Sequence, residues 1–265
     1  MTYFNRAIRK TAKRLVTRIV IEARRRWLPR RSIKWLLRRF IKRVDHELLG
    51  RPAAEIFSEI YRRQLWGQPG SERRFSSGHG SSLDLHVTPY VEAIREFVGG
   101  LSWKPSVVDL GCGDFNVGSR IRECFGGYTA CDIASAVLEE NKARYASLDV
   151  SFVQLDMIEN KFPEGDICII RQVLQHLSNA DISRVVRKLG GYKILILTEA
   201  LPRQDFVPNL DQPTGVSSRL ARGIPSGVVL TDPPFSLHVT SSQVLCTTFD
   251  EFSDAQLMTT AYWLQ

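Results

Sequence analysis

The chain has 265 residues, 43% of them hydrophobic, which is enough for one sizeable α/β core plus an appendage. Its formal charge of +8 is uneven: residues 1–50 carry 16 Lys or Arg against three acids, and the remainder carries 20 basic and 25 acidic residues. Five scattered cysteines without C-x-x-C spacing argue against a disulfide framework or zinc module and fit a reducing compartment, and no apolar run approaches the roughly 18 residues of a membrane span.

Residues 4–27 read as an amphipathic helix, with Phe4, Ile8, Ala12, Leu15, Ile19, Ala23 and Trp27 recurring at three- and four-residue steps among Arg and Lys. Pro29 breaks it. A second helix is expected over 32–49, closed by Gly50 and Pro52. Residues 1–50 therefore form a basic helical arm ahead of a main domain at 51–265. The arm reads either as an extension packed on the domain or on a second subunit, giving a homodimer, or as a surface lying on an anionic membrane. Nucleic acid is a weaker reading, since no recognised nucleic-acid motif is present. An Arg-rich, acid-poor start also resembles an organelle transit peptide, whereas Arg18 and Glu22 interrupt any secretory signal.

A helix follows at 53–66, then a turn at 67–70 and a Gly/Ser loop at 76–82 whose small residues suit close contact with a ligand. His79 in that loop reads as a solvent-exposed histidine. After a helix at 88–98, Ser106-Val107-Val108-Asp109-Leu110 is a short apolar run with β-branched residues, a buried parallel strand. Gly111 and Gly113 supply a tight turn with an approachable backbone, and a helix is expected over 117–123. Strand, glycine turn and helix make a nucleotide-binding geometry. A dinucleotide fingerprint needs a third glycine, and Asn116 stands there; Asp114 puts a carboxylate where a pyrophosphate would lie. A sulfonium cofactor carries no phosphate and a positive charge, so acids around the turn suit it. In the form VVDLGCGD the stretch resembles motif I of the class I S-adenosylmethionine (SAM) dependent methyltransferases.

Further along, a second strand at 128–133 places Asp132 19 residues beyond Gly113, at the distance of an acid that accepts from both ribose hydroxyls. A helix at 136–146 and a third strand at 150–156 follow, the latter ending in Asp156. Asp156 resembles the methyltransferase residue that binds the adenine amino group; the alternative is a strand-end acid making a turn. The fourth strand, 166–170, runs into Arg171-Gln172-Val173-Leu174-Gln175-His176-Leu177. That segment resembles the R-D-V-L-Q-H-L of bacterial small-molecule and glycan methyltransferases, with Gln172 replacing the Asp. In that set it faces the methionine end of the cofactor and the substrate. A helix at 180–189 and a fifth strand at 192–199 complete the alternation.

Residues 200–240 hold six prolines and read as a long functional loop region. Asn209, Asp211, Gly215, Arg219, Arg222 and Asp232-Pro233-Pro234-Phe235 match an N-x-D…G…R…PPF pattern of the same set, so the resemblance spans about 57–265. Asp232-Pro-Pro-Phe has the form of an amino-methyltransferase signature. It stands 61 residues beyond Arg171, where that signature belongs, and reads instead as a loop turn. Strands at 242–249 and 256–264 form a closing antiparallel hairpin.

The expected fold is a doubly wound α/β domain with a seven-stranded, mostly parallel, Rossmann-like methyltransferase sheet and a basic helical N-terminal extension. The resemblance implies SAM as cofactor, no metal, and binding positions at Ser77, Gly78, Asp109, Gly111, Gly113, Asp132, Ile133, Asp156, Met157 and Arg171. It also points to O-methylation of a sugar hydroxyl on a glycan or glycolipid. A hydroxyl acceptor needs a general base: His176 is the first candidate, with Asp211 and Asp232 in reserve. The location expected is cytoplasmic, peripheral at the inner membrane face. The alternatives are a protein or RNA methyltransferase, a SAM-binding adaptor acting through its arm, and, more remotely, a dinucleotide oxidoreductase.

Overall fold

In the computed structural model the described residues are 41, 43–68, 73–221, 224–250 and 254–264. The arm helix expected over 4–27 and most of that over 32–49 lie outside them; residues 43–48 are helical. The chain divides into two compact units, residues 1–47 and 48–265. No helix among the described residues is long and apolar enough to cross a membrane, and no group of three or more His, Cys, Asp or Glu among them is arranged to hold a metal ion.

The second unit is built on one seven-stranded sheet: β1 Ser106–Leu110, β2 Gly127–Asp132, β3 Ser151–Gln154, β4 Ile167–Arg171, β5 Ile194–Pro202, β6 Val239–Asp250 and β7 Ala255–Leu264. Their order is β3-β2-β1-β4-β5-β7-β6. The first five pair in parallel, and β7 pairs antiparallel with both β5 and β6. This is the expected doubly wound sheet with an antiparallel end. The central strands are mostly apolar because both faces are covered, and all nine residues of β5 are buried, Thr198 and Glu199 among them.

Helices α1 (Ala53–Arg62) and α2 (Asp84–Gly99) precede the sheet; α3 (Gly118–Ile121), α4 (Ser135–Arg144) and α5 (Asn179–Val186) lie between strands. Two depart from the sequence expectation for physical reasons. The 53–66 helix stops at Arg62 in a Schellman-type end, with Gln64 at φ +54° and the Gln64 and Leu65 N–H groups donating to Tyr61 O and Ile60 O. That turn frees Trp66 to leave the helix line. The helix after the glycine turn begins at Gly118, because Phe115 takes φ +55° to bury its ring against Tyr128, Tyr145 and Phe152. Gly118 accommodates that ring: a Cβ there would lie 2.3 Å from Phe115 Cε2.

Candidate active site

In a doubly wound sheet the ligand crevice lies beyond the carboxyl ends of the strands where the order reverses, here β1 and β4. Both strands lead into left-handed backbone at that point: Gly111 (φ +79°) and Gly113 (φ +56°) after β1, and Gln172 (φ +58°) after β4. Glycine takes such angles freely. Glutamine does so at a cost of roughly 1–2 kcal/mol, and strain of this kind gathers at functional sites.

The glycine turn is braced from β2. Gly111 and Cys112 N–H donate to Cys131 O, at 2.8 and 2.9 Å. The two oxygens of Asp132 accept from Gly113 N–H and Ala134 N–H, both at 2.9 Å. Burial raises the pKa of Asp132, against the pull of those backbone donors. Each carboxylate oxygen has a second lone pair, so the group keeps acceptor capacity beyond the two backbone bonds. Ile133 follows it, half-buried. At the tip of β3, Asp156 Oδ1 accepts from Ile158 N–H at 2.8 Å and so caps a turn. Met157 beside it is buried, and Lys188 Nζ donates to the carbonyls of Met157, Ile158 and Asn160. Asp109 faces away from the turn toward β2, where Tyr128 OH donates to its Oδ2 at 2.9 Å; burial pushes its carboxyl up to about 7.

The segment 73–82 is strapped across the turn. Ser77 Oγ accepts from Asp114 N–H at 2.8 Å, and Asp114 Oδ2 accepts from Ser77 N–H at 3.4 Å. Asn116, which stands where a dinucleotide fingerprint would have glycine, donates through Nδ2 to Ser81 O at 2.7 Å and accepts from Arg73. From the other side Arg171 donates to Gly80 O at 2.7 Å and Ser81 Oγ at 3.1 Å, its guanidinium 4.8 Å from the Tyr90 ring centre. Arg171 Nε is buried without a partner. Gly78, at φ +95°, passes beside Trp66.

Aromatic residues roof the crevice. Tyr61 lies edge-on to Trp66 and Phe75, and its OH is 3.4 Å from Ser77 Oγ. Trp66 lies 5.2 Å, ring centre to ring centre, from His176. Beneath it the β4–α5 segment carries neutral amides. Gln175 Nε2 is 3.3 Å from Gln172 O and 3.4 Å from His176 Nε2, and Gln212 Nε2 donates to Gln175 O at 2.6 Å. Gln172 Nε2, Gln175 Oε1 and Trp66 Nε1 are buried with no hydrogen-bond partner. A Cβ at Gly80 would lie 2.2 Å from Gln172 Oε1, so the bare backbone at 80 lets that amide fit against the loop.

The three proposed base residues are not brought together. Asp211 Oδ1 accepts from Asn179 N–H and Gln212 N–H, each at 2.8 Å, which makes it a turn and helix-start acceptor. Asp232 sits in the turn held by Asn209, whose Nδ2 donates to Val229 O and Pro233 O. Only His176 shares the crevice with the glycine turn and Trp66. The sequence reading did not single out Tyr61, Trp66, Asn116, Glu199 or Gln212. An aromatic pair, Tyr61 and Trp66, ahead of the Gly/Ser loop is the one local signal that marks any of them.

Residues 107–191, which span β1 to the end of the α5 region, match the family model described as a methyltransferase domain. No curated protein matches the chain. Among solved structures, the N-methyltransferase NodS from Bradyrhizobium japonicum in complex with S-adenosylhomocysteine superposes with a TM-score of 0.56 at 12% identity, over 79% of this chain and all of that one. A DhpI–S-adenosylhomocysteine complex gives 0.53 at 17%, covering 80% of this chain and 97% of that one. A SAM-dependent methyltransferase from Leishmania major gives 0.54 at 14%, covering 80% and 81%. At these identities the likeness is one of fold. Residues 107–191 carry the match to a methyltransferase domain, and the fold around them is one shared with solved methyltransferases.

Proposed function

We propose that the chain is a class I, SAM-dependent methyltransferase that acts on a hydroxyl of a neutral, sugar-like acceptor, on a glycan or glycolipid. The observation that carries the acceptor reading is the wall of unpartnered amides, Gln172 Nε2 and Gln175 Oε1, under the Trp66–His176 ring pair. Buried polar atoms without partners are costly and call for a ligand that satisfies them. Amides pair with hydroxyls without demanding charge, and an aromatic face covers the apolar side of a sugar ring.

The residues fit SAM. Asp132 retains lone pairs for a ribose diol, and the Asp156–Met157 turn lies one strand further out, where an adenine would rest. Arg171 is a buried cation with an unused Nε donor, suited to an amino-acid carboxylate. SAM supplies an electrophilic methyl group on a sulfonium. The protein's part is to align the acceptor oxygen with it, exclude water under the 73–82 strap and receive the hydroxyl proton at the His176 imidazole.

A panel of hydroxyl, amine and carbon acceptors assayed with radiolabelled SAM tests the acceptor class; transfer to amines alone overturns it. Gln172→Asn keeps a residue type that tolerates φ > 0 but withdraws the amide. It is expected to raise the acceptor KM by roughly two- to tenfold, the worth of one hydrogen bond, with S-adenosylhomocysteine affinity unchanged. For the cofactor, Asp132→Ala removes the acceptor that serves both the glycine turn and the proposed ribose contact, at a cost of about 1–3 kcal/mol. Titration calorimetry should show affinity for S-adenosylhomocysteine falling about tenfold or more in a variant that still melts cooperatively. Unchanged affinity would remove the ribose assignment.

Residues 1–40 hold 14 Lys or Arg and a single acid. We propose that this stretch draws the enzyme to an anionic lipid surface where a glycolipid acceptor lies. Each basic residue near such a surface contributes about 1 kcal/mol, screened within a Debye length. Deleting 1–40 stops short of Leu48, which is fully buried. Co-sedimentation with anionic vesicles should fall on deletion and on raising salt, while methylation of a short soluble acceptor persists. Equal sedimentation of both forms would refute the membrane role.

A further inference from the structure

The 172–177 segment that carries Gln172 and His176 has most of its backbone N–H and C=O groups held by residues outside it. On its donor side, Gln172 N–H donates to Thr198 O at 2.7 Å. Leu174 and Gln175 N–H donate, each at 3.1 Å, to the two carboxylate oxygens of Glu199 on β5. On its acceptor side, Arg219 donates to Leu174 O at 3.1 Å and Leu177 O at 3.0 Å, and further to Leu210 O and Asn179 Oδ1. Gln212 donates to Gln175 O, and Gly215 N–H to His176 O at 3.0 Å. Glu199 is 2% exposed and Arg219 1%. Burial pushes the Glu199 carboxyl up to about 8, while the Arg219 guanidinium and the backbone donors pull it down.

A buried acid and a buried guanidinium brought to one six-residue loop are expensive to maintain. These bonds restrain the loop's backbone, and Gln212, Gly215 and Arg219, from the irregular stretch between β5 and β6, supply its acceptor side. We infer that Glu199 and Arg219 are positioning residues for the methyl-transfer site: together they fix the backbone that aims His176 and Gln172 at the acceptor, and the 210–219 stretch serves as a brace for that loop. This rests on the reading of His176 and Gln172 as acceptor-facing groups.

The test uses the full chain carrying Glu199→Gln or Arg219→Met, with the concentration of competent sites taken from S-adenosylhomocysteine titration. Glutamine puts an N–H₂ group where one backbone N–H must be received, so a bond is lost without a change of shape. The inference predicts kcat per competent site at least tenfold below wild type at saturating SAM and acceptor, with the S-adenosylhomocysteine Kd within threefold. A purely structural pair would lower the melting temperature and the number of competent sites, leaving kcat per site intact. The ring resonances of His176, assigned through His176→Asn, give a readout independent of any acceptor. In both variants they should move while those of His86 stay in place. Unmoved His176 resonances, or kcat per site within twofold of wild type, overturn the inference. Should the wild type prefer an amine acceptor, the hydroxyl reading fails by itself, and the same kcat comparison is made with that amine.

Discussion

Gly111→Val is expected to abolish S-adenosylhomocysteine binding. Two effects act at once. The position has φ +79°, which a β-branched residue occupies only under strain. A Cβ there would also lie 2.5 Å from Val173 Cγ2, so the side chain cannot enter without driving the β4 loop away from the turn. Both backbones that border the crevice would shift together, whereas Asp132→Ala removes an acceptor from the glycine turn and puts no atoms into the crevice. Calorimetric titration should detect no binding at concentrations that saturate the wild type. Gly111→Ala separates binding from folding. It retains the collision with Val173 but lacks the branch, so it should fold, with a lower melting temperature and clearly weakened affinity. Wild-type affinity in Gly111→Ala would mean that the turn does not approach the cofactor.

Legibility followed the range of the forces involved. The first strand was readable to the residue, since the apolar run Ser106–Leu110 and the glycines that end it are adjacent. The mostly parallel sheet and its antiparallel end followed from alternating elements and a final hairpin. Where a local rule met a tertiary demand, the sequence reading failed. Gln64 ends α1 in a left-handed turn without the usual glycine, because Trp66 packs against Tyr61 and His176. Phe115 shortens α3 for a ring cluster assembled from three other elements. Asn116 reads in sequence only as a missing glycine; in the fold its amide holds a loop 35 residues away. Arg171 meets Ser81 across 90 residues, and Leu174 meets Glu199 across 25. No periodicity encodes such pairs. Glu199 had no motif to mark it, since a single acid at the end of a buried strand looks like the strand's exit to solvent.

His176→Ala is expected to lower kcat by roughly 10²–10⁴, or about 3–5 kcal/mol of transition-state stabilisation, with little change in S-adenosylhomocysteine affinity. The geometry separates the two properties. His176 lies against Trp66, at the proposed acceptor end of the crevice, and its backbone is held by Gly215 N–H, independently of its ring. The proposed cofactor-side groups, Asp132 and the glycine turn, are braced from β2. Truncation also removes a ring from the Trp66 stack, so alanine alone would mix packing with proton transfer. His176→Gln resolves this: it keeps bulk and a hydrogen-bonding tip but cannot take a proton near neutral pH. If His176 receives the acceptor's proton, the glutamine variant should be nearly as slow as alanine while melting close to wild type. If glutamine restores turnover to within a few-fold, the histidine only packs and orients. The proton would then leave to solvent or to another group, and the acceptor would need a more acidic hydroxyl than a sugar offers.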